Sequence, residues 1–315
     1  MPKRPKDKAR KETDKELEKI KKKLREIYSE AEKELTKKAN DYLEQFKEQD
    51  NVKSKLVKEG KLKRSEYIRW RKDKIAMNKH WRNMKRTASL NLHNTNKIAN
   101  DYINGRLPDV FTTVYGIRAD ELQKEVPQIS FEIRSPKAIK NLTLACGKSF
   151  LPYKKLGIDD IPWNMKRINS QVLQGIIQGE SMEQIAERLI SVCNNNEVAA
   201  MRTARTLVNT VENQARYEVA KDAADMGVIE VKMWDSSHDG RVREWHSDAD
   251  SDYGAESQAI PMDEPFIVMG EKMMYPGDRA GSPENVYNCR CALLTKVVGF
   301  KSILPEKYRG AIEVK

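Results

Sequence analysis

The feature that most restricts the fold is a long, regular stripe of apolar residues near the N-terminus. Between Asp14 and Glu48 an apolar residue occurs every three or four positions, at Leu17, Ile20, Leu24, Ile27, Ala31, Leu35, Ala39, Tyr42 and Phe46. This spacing predicts one long helix, and Thr13 with Glu16 has the pattern of a capping box at its start. Because a helix cannot bury such a stripe alone, we expect a partner helix, in a coiled coil or a helical hairpin.

The rest of the pattern predicts an α+β protein. A long, mostly helical N-terminal arm and a helical middle are followed by a small strand- and loop-rich C-terminal cap. Gly179 and Gly227 have the position of helix-ending residues, and Ser181 with Gln184 has the pattern of a capping box. The predicted helices of the middle cover residues 163–179, 181–190 and 197–226, and the predicted strands cover 229–236, 266–269 and 291–298.

A proline-rich segment separates the arm from the body. Residues 107–162 contain Pro108, Pro127, Pro136, Pro152 and Pro162, which indicate a connector of short helices with a strand at Gln128–Ile133. We therefore expect four parts in the chain: a basic helical arm at 1–105, the connector at 106–162, a body at 163–300 and a tail at 301–315.

The positive charge of the chain is concentrated in the arm. The formal net charge is +11, and residues 51–100 hold 15 Lys and Arg against 3 Asp and Glu. A concentrated basic segment attracts phosphate backbones or another acidic surface. The arm is therefore predicted to bind double-stranded DNA without sequence preference, through Lys61, Lys63, Arg64, Arg69, Arg71, Lys72, Arg82, Lys85 and Arg86.

Three aromatic residues, Tyr67, Trp70 and Trp81, are interleaved with these basic residues. One interpretation is that they stack on bases of a nucleic acid. The other is that they form the buried stripe of a helix whose solvent-exposed face is basic. We favour burial, because large aromatic side chains mostly pack in the interior of proteins.

Composition excludes two classes of protein. No apolar stretch is long enough to span a bilayer, and the basic segment MPKRPKDKAR is not followed by the apolar core of a signal peptide. We therefore expect no membrane contact and synthesis in a cytoplasm. The four cysteines do not have the pattern of a secreted disulfide framework, and the single residues Cys146 and Cys193 are interpreted as small core residues.

Cys289 and Cys291 belong to a candidate metal site. Their spacing strains a mutual disulfide, whereas two thiolates together with His246 give three ligands for a structural zinc ion. Asp239 and Asp250 are the candidates for a fourth ligand. The alternative is that both cysteines pack as small apolar residues on a strand while His246 caps a turn, and the spacing leaves both interpretations open.

A series of short motifs surrounds this cluster. In chain order they are D-x-R-x-R-x-x-H, a DEPF turn, YPGD and NCRC, after a helix that contains the letters RTART. Together they resemble the phage Mu F-like family of head morphogenesis proteins, over about residues 160–297. Leu207 and the loop 247–258 depart from the family's pattern. The residues that carry the resemblance are Arg202, Arg205, Asp239, Arg241, Arg243, His246, Asn288, Cys289, Arg290 and Cys291.

The resemblance implies a role in the virion. A protein of this family is expected to be a minor capsid component of a tailed bacteriophage, inside the head near the portal, where it aids head assembly and DNA packaging or ejection. The implied partners are the portal protein, other head proteins and packaged DNA. Residues 163–300 would be the head morphogenesis domain, made in the host cytoplasm, and the protein would not be an enzyme.

The alternative is a metal-dependent nuclease, or another DNA-processing enzyme, that uses the histidine and cysteine cluster. In that case His246, Asp239 and Asn288 would form the active site. Arg241 or Arg243 would steady a phosphate group. We favour the structural role, because the sequence offers no convincing second histidine and no acidic pair at helical spacing. A Cys–His hydrolase is weaker still, because no orienting residue is recognisable.

Overall fold

A computed structural model describes residues 7–132, 134–147 and 160–301. The helices are α1 (Lys8–Lys58), α2 (Arg64–Arg71) with a π-helical turn (Lys72–Ala76), α3 (Lys79–Glu125), α4 (Pro136–Gly147), α5 (Asp160–Gln178), α6 (Met182–Asp225), α7 (Glu244–Tyr253) and α8 (Pro283–Val286). The strands are β1 (Val228–Asp235), β2 (Ile260–Pro261), β3 (Phe266–Val268), β4 (Glu271–Met273) and β5 (Ala292–Phe300). The fold is therefore α+β, with the helices first and the strands last, as predicted.

The chain divides into two compact units that are not continuous in sequence. Unit 1 consists of Met1–Ile20, Ile103–Phe150 and Arg202–Lys315, and unit 2 consists of Lys21–Tyr102 and Leu151–Met201. Helices α1, α3 and α6 each contribute one part to each unit. The boundaries of the two units therefore differ from the boundaries between arm, connector, body and tail.

In unit 2 the apolar stripe of α1 faces the interior, as its spacing predicts: four of its seven members are buried, and Ile27, Ala31 and Phe46 are half-buried. The buried members of the stripe in this unit, each at most 5% exposed, are Leu24, Leu35, Ala39 and Tyr42. Next to the stripe, the hydroxyl of Tyr28 donates a hydrogen bond to Oδ1 of Asn96 in α3 at 2.7 Å. The partner of this part of α1 is therefore a helix of the same chain.

The aromatic residues of the basic segment are core residues of unit 2. Trp81 is fully buried, and its indole N–H donates to Oδ1 of Asn169 at 3.1 Å. Tyr67 is buried and its hydroxyl donates to Asp50 at 2.8 Å, while the half-buried Trp70 stacks on Tyr67 with ring centres 6.3 Å apart. Burial, the interpretation favoured from the sequence, is confirmed for Tyr67 and Trp81.

Unit 1 contains a three-stranded antiparallel sheet in the order β2-β1-β5. Gly227, with a φ of 89°, ends α6, and β1 follows directly and pairs with the full length of β5. Trp234 of β1 is fully buried and meets Phe266 of β3 edge to face at 5.4 Å. The sheet and the β3–β4 hairpin therefore pack into one core.

Helix α6 is longer than the sequence pattern predicts. Its capping box is as expected, because Ser181 and Gln184 exchange hydrogen bonds of 2.9 and 3.2 Å. The helix then continues through Asn194–Asn196, where the sequence predicts a break. Asn196 is buried, and its side-chain N–H₂ donates to Val192 O at 2.8 Å and to Asn164 at 3.2 Å. These partners satisfy an amide that would otherwise favour a loop.

The start of α1 and the predicted strand of the connector also differ from expectation. Asp7 caps α1, since its Oδ1 accepts from the backbone N–H of Arg10 at 2.7 Å, and Thr13 is a buried residue inside the helix. Pro108 lies within α3. Residues 128–132 form no strand, and Ile133, Cys146's side chain, residues 148–159 and residues 302–315 of the tail lie outside what the structure describes.

Within residues 7–132, 134–147 and 160–301, no helix has the length and apolar content needed to cross a membrane.

Candidate metal centre

Two elements of unit 1 bring His246 and the two cysteines together. His246 lies in the first turn of α7, and the cysteines lie between α8 and β5. Asn213 of α6 holds the cysteine segment, because its side-chain N–H₂ donates to Pro276 O at 2.9 Å and to Cys291 O at 3.0 Å. Its oxygen accepts from the backbone N–H of Leu293 at 2.8 Å. Helix α6 therefore positions both the second cysteine and the start of β5.

The three side chains converge on one point with distances suited to zinc. Nδ1 of His246 lies 3.7 Å from Sγ of Cys289 and 3.4 Å from Sγ of Cys291. All three residues are 2% exposed, and their ligand atoms lie within 4.8 Å of one another. In a tetrahedral site with Zn–S of about 2.3 Å and Zn–N of about 2.0 Å, sulphur and nitrogen are about 3.5 Å apart. The donor set and its spacing therefore fit a zinc ion.

The surroundings shift the pKa values of the two thiols in opposite directions. The hydrogen bond with Cys291 lowers the pKa of Cys289 well below its usual value, and the His246 side chain adds to this effect while burial opposes it. The hydrogen bond with Cys289, together with burial, raises the pKa of Cys291. The pair therefore favours one thiolate. Since metal ligation requires deprotonated thiols, a cation in this pocket would make both cysteines thiolates.

Aromatic side chains orient the imidazole. The rings of Trp234 and Trp245 meet His246 edge to face, with centres 5.5 and 6.3 Å away. Nε2 of His246 is buried and has no hydrogen-bond partner among the described residues. In many metal sites the second ring nitrogen donates to a polar group that fixes the ligand. Here the rings of two tryptophans pack against the imidazole instead.

Neither aspartate expected as a fourth ligand belongs to this group. Asp239 accepts two hydrogen bonds from the guanidinium of Arg290, which hold the pKa of this carboxyl well below its usual value. Asp250 lies with Asp235 and His238 in a second group of ligand-type atoms, also within 4.8 Å of one another. The assignment of Asp239 or Asp250 to the cluster is therefore corrected, because both carboxylates are engaged by other side chains.

The residues considered for a nuclease each interact with other side chains. Nδ1 of His246 faces the thiols, Asp239 is paired with Arg290, and the side-chain oxygen of Asn288 accepts from Nη1 of Arg205 at 2.8 Å. Both sulphur atoms belong to residues that are 2% exposed. A nucleophilic cysteine must be reached by its substrate, and this burial keeps a polymer substrate away from both thiols.

The motif arginines form a separate, partly exposed cluster, which we call the arginine cluster: Arg202, Arg205, Arg241 and Arg290. Its contacts run through Asp239 and Asn288, and Asn288 is held in a left-handed conformation with φ of 58° while its backbone N–H donates to Thr206. Burial lowers the pKa of Arg205, and the positive charges of Arg290 and Arg241 lower it further. Arg243 stands apart and donates to Tyr287 O.

A buried network of charges that the sequence analysis missed supports α6 within unit 1. Nη1 of Arg10 donates to Glu212 at 2.6 Å, Nη1 of Arg216 donates to Asp7 at 2.6 Å, and Arg216 and Glu212 are 3.0 Å apart. The side chains of Glu212 and Arg216 are 0% and 2% exposed. The only feature of the local sequence that indicates this network is that Glu212 and Arg216 lie four residues apart on the apolar side of a helix.

Lys232 of β1 was also missed. It is fully buried and its Nζ donates to Met274 O at 2.9 Å, with the ring of Phe266 4.8 Å away. Burial lowers the pKa of Lys232 to about 8, although Asp278 and Asp263 of the YPGD and DEPF motifs oppose this shift. The sequence gives no signal of this burial, because Lys232 alternates with the apolar Ile229, Val231 and Met233, whereas the face of β1 that is buried throughout is that of Lys232 and Trp234.

The residues predicted to bind DNA in the arm differ in accessibility. Arg71 does not belong to such a surface, because it is fully buried and its Nε lies 2.9 Å from Asp50. Lys72 and Lys85 are half-buried, and Lys85 donates to Asn169 at 3.3 Å. The exposed residues are Lys61, Lys63, Arg64, Arg69, Arg82 and Arg86.

Comparisons with known proteins agree with the motifs of unit 1. Residues 166–294 match the family model described as Phage Mu protein F like protein. Minor head protein GP7 of Bacillus phage SPP1 is 30% identical over 136 residues, which are 43% of this chain and 42% of that protein. The chain therefore spans less than half the length of this curated relative. No solved structure matches the chain.

Proposed function

We propose that the chain is a minor head protein of a tailed bacteriophage, because residues 166–294 match the family model described as Phage Mu protein F like protein. The observation that carries this proposal is the family match together with the relative named as a minor head protein. The buried His246, Cys289 and Cys291 lie inside the matched region and serve to hold the cap together. This is a structural role, and the protein works without catalysing a reaction.

In this proposal the chain lies inside the virion head. It is made in the host cytoplasm, associates with the portal and other head proteins, and aids head assembly and the packaging or ejection of DNA. The exposed basic residues of the arm, among them Arg64, Arg69 and Arg86, contact double-stranded DNA without sequence preference. The excess of Lys and Arg over Asp and Glu in residues 51–100 supports this contact.

The test of the head role is mass spectrometry of purified mature heads and of portal complexes from infected cells. We expect this chain in both, at far lower copy number than the major capsid protein. Infection with a phage whose gene for this chain carries a stop codon provides the control, and its heads should assemble or fill poorly. Absence of the chain from heads and from portal complexes, with normal expression, would contradict the proposal.

We also propose that the cluster holds a structural zinc ion, with His246, Cys289 and Cys291 as ligands. The S···N distances of 3.4 and 3.7 Å and the burial of all three residues support this assignment. A bound zinc ion supplies folding free energy by linking α7 to the start of β5. Both thiols would be thiolates when the ion is bound.

Elemental analysis of the purified full chain tests the zinc proposal. We expect one zinc per chain, retained in Cys193→Ala and lost in Cys291→Ser. Cys193 is the matched control because it is also a buried free cysteine but lies in unit 2. A strong chelator should lower the melting temperature of the wild type and leave that of Cys291→Ser unchanged. Wild-type protein without bound metal, melting alike with and without chelator, would contradict the proposal.

A further inference from the structure

The arginine cluster has more positive charge than its contacts within the protein neutralise. Asp239 accepts from Nη2 of Arg290 at 2.7 Å and lies 3.8 Å from Nη2 of Arg241. One carboxylate is thus shared by two guanidinium groups. The third, that of Arg205, donates to the neutral amide oxygen of Asn288 at 2.8 Å. The carboxylate of Glu18 also acts on Arg205 through its charge, so the four guanidinium groups of the cluster face two carboxylates and the cluster keeps a net positive charge.

The cluster is also open to a ligand. The Arg241 side chain is 83% exposed, and Arg202 is exposed one helical turn before the half-buried Arg205. Arg205 is held by Asn288, and the backbone N–H of Arg241 donates to Asp239 at 3.0 Å. Two guanidinium groups are therefore carried on fixed backbone and present N–H groups to solvent. Guanidinium groups arranged in this way match the oxygen atoms of a phosphate group.

The surroundings favour a phosphodiester backbone over a protein surface. Protein interfaces are centred on buried apolar or aromatic anchors. The exposed large apolar side chains of the described part of unit 1 lie elsewhere, at Ile229, Ile267, Met269, Val298 and Phe300. Contact with a nucleic-acid backbone requires only positive charge and donors.

We propose that Arg205 and Arg241, supported by Asn288 and Asp239, form a second DNA-binding site, which contacts backbone phosphates of double-stranded DNA. This site lies in unit 1 and extends the DNA contact proposed for the arm, which involves other residues. Arg202 adds its charge to the same surface, and Arg290 acts as a positioning residue because its guanidinium is engaged by Asp239.

Fluorescence anisotropy with a labelled duplex of mixed sequence, titrated with the full chain at several salt concentrations, tests the site. Each phosphate contact contributes about 0.9 to the slope of log affinity against log salt. Arg241→Ala is therefore expected to lower that slope by about 0.9 and to weaken binding about eightfold at about 0.1 M salt. Arg241→Lys should restore binding to within about twofold, because the charge is kept.

The controls separate this site from the arm and from misfolding. Lys272→Ala removes one exposed positive charge from unit 1 outside the cluster and should leave the slope unchanged. Arg205→Ala should behave like Arg241→Ala, and Arg241→Ala removes a side chain that is 83% exposed, so the fold should remain intact. A triple variant of Arg64, Arg69 and Arg86 measures the arm.

Three outcomes overturn the inference. The first is a slope and affinity of Arg241→Ala equal to those of Lys272→Ala. The second is a loss of binding in the arm variant alone, in which case the arm contact stands and the arginine cluster is not a site. The third is wild-type protein that does not bind the duplex at low salt. None of these bears on the head role, because that is measured by the content of the virion.

Discussion

The interaction between Asp7 and Arg216 offers a quantitative test of how unit 1 is built. Nη1 and Nη2 of Arg216 donate to the two carboxylate oxygens of Asp7 at 2.6 and 2.8 Å, and Arg216 is itself buried. Burial alone would raise the pKa of Asp7, but the hydrogen bond and charge of Arg216 outweigh it and lower the value from 3.8 to about 2. Asp7→Asn removes the charge and keeps the size of the side chain.

The expected loss of stability follows from the pKa. One pKa unit corresponds to about 1.4 kcal/mol, so a decrease from 3.8 to about 2 means that ionised Asp7 stabilises the fold by about 2 kcal/mol. The Asp7 side chain is 31% exposed, which leaves the ion pair only partly screened by solvent. Because the folded-state pKa is the lower one, this stability is present above pH 3.8 and is lost as the pH falls toward about 2.

Urea denaturation at neutral pH, followed by circular dichroism, measures this loss. Glu12→Gln is the matched control, because it makes the same chemical change in the same helix at a residue that pairs only locally, with Lys15 at 2.7 Å. We expect Asp7→Asn to unfold at clearly lower urea than the wild type and Glu12→Gln to match the wild type. Equal midpoints for the two variants would refute the reasoning, and so would an acid-induced loss of stability that is the same in Asp7→Asn as in the wild type.

Three further predictions concern other buried groups. The folded-state pKa of Lys232 is about 8, against 10.5 for a free side chain, so burying its charged form costs about 3 kcal/mol below pH 8. This cost disappears as the pH rises from 8 to 10.5, so the wild type should become more stable over that range. Lys232→Met should not show this rise in stability in urea denaturation. Asp50→Asn should destabilise the protein by about 3 to 5 kcal/mol in the same assay, because the fully buried Arg71 loses its carboxylate partner. Gly254→Ala should lower the melting temperature, because its Cβ would clash with the carbonyl oxygen of Asp250, whereas Gly240→Ala, with open space around the new Cβ, should not.

Local patterns in the sequence were sufficient where the deciding interactions are themselves local. The stripe of α1, the capping box of Ser181 and Gln184, and the end of α6 at Gly227 are all confirmed. The prediction of a capping box at Thr13 and Glu16 was wrong, because the same residue types at the same spacing also occur inside helices. What places the start of α1 earlier is Asp7, which caps the helix and is held by a residue more than 200 positions away in sequence.

In the candidate site, too, local patterns were predicted correctly and contacts between distant residues were not. The types of residue and their short spacing identified His246, Cys289 and Cys291, which the structure brings together. The assignment of Asp239 failed because nearness in sequence does not reveal that Arg290 engages its carboxylate. Arg71 was counted as a DNA contact because a charged residue in a basic segment is usually exposed, and only the tertiary partner Asp50 makes its burial possible.

The discontinuity of unit 1 determines when this protein can complete its fold during synthesis. The ribosome synthesises Asp7 209 residues before its partner Arg216. At about 5 to 20 residues per second, the first turn of α1 must wait roughly 10 to 40 s for that partner. During this interval its charged side chains keep the segment hydrated, so Asp7 can remain unpaired until the part of α6 that contains Arg216 has been synthesised.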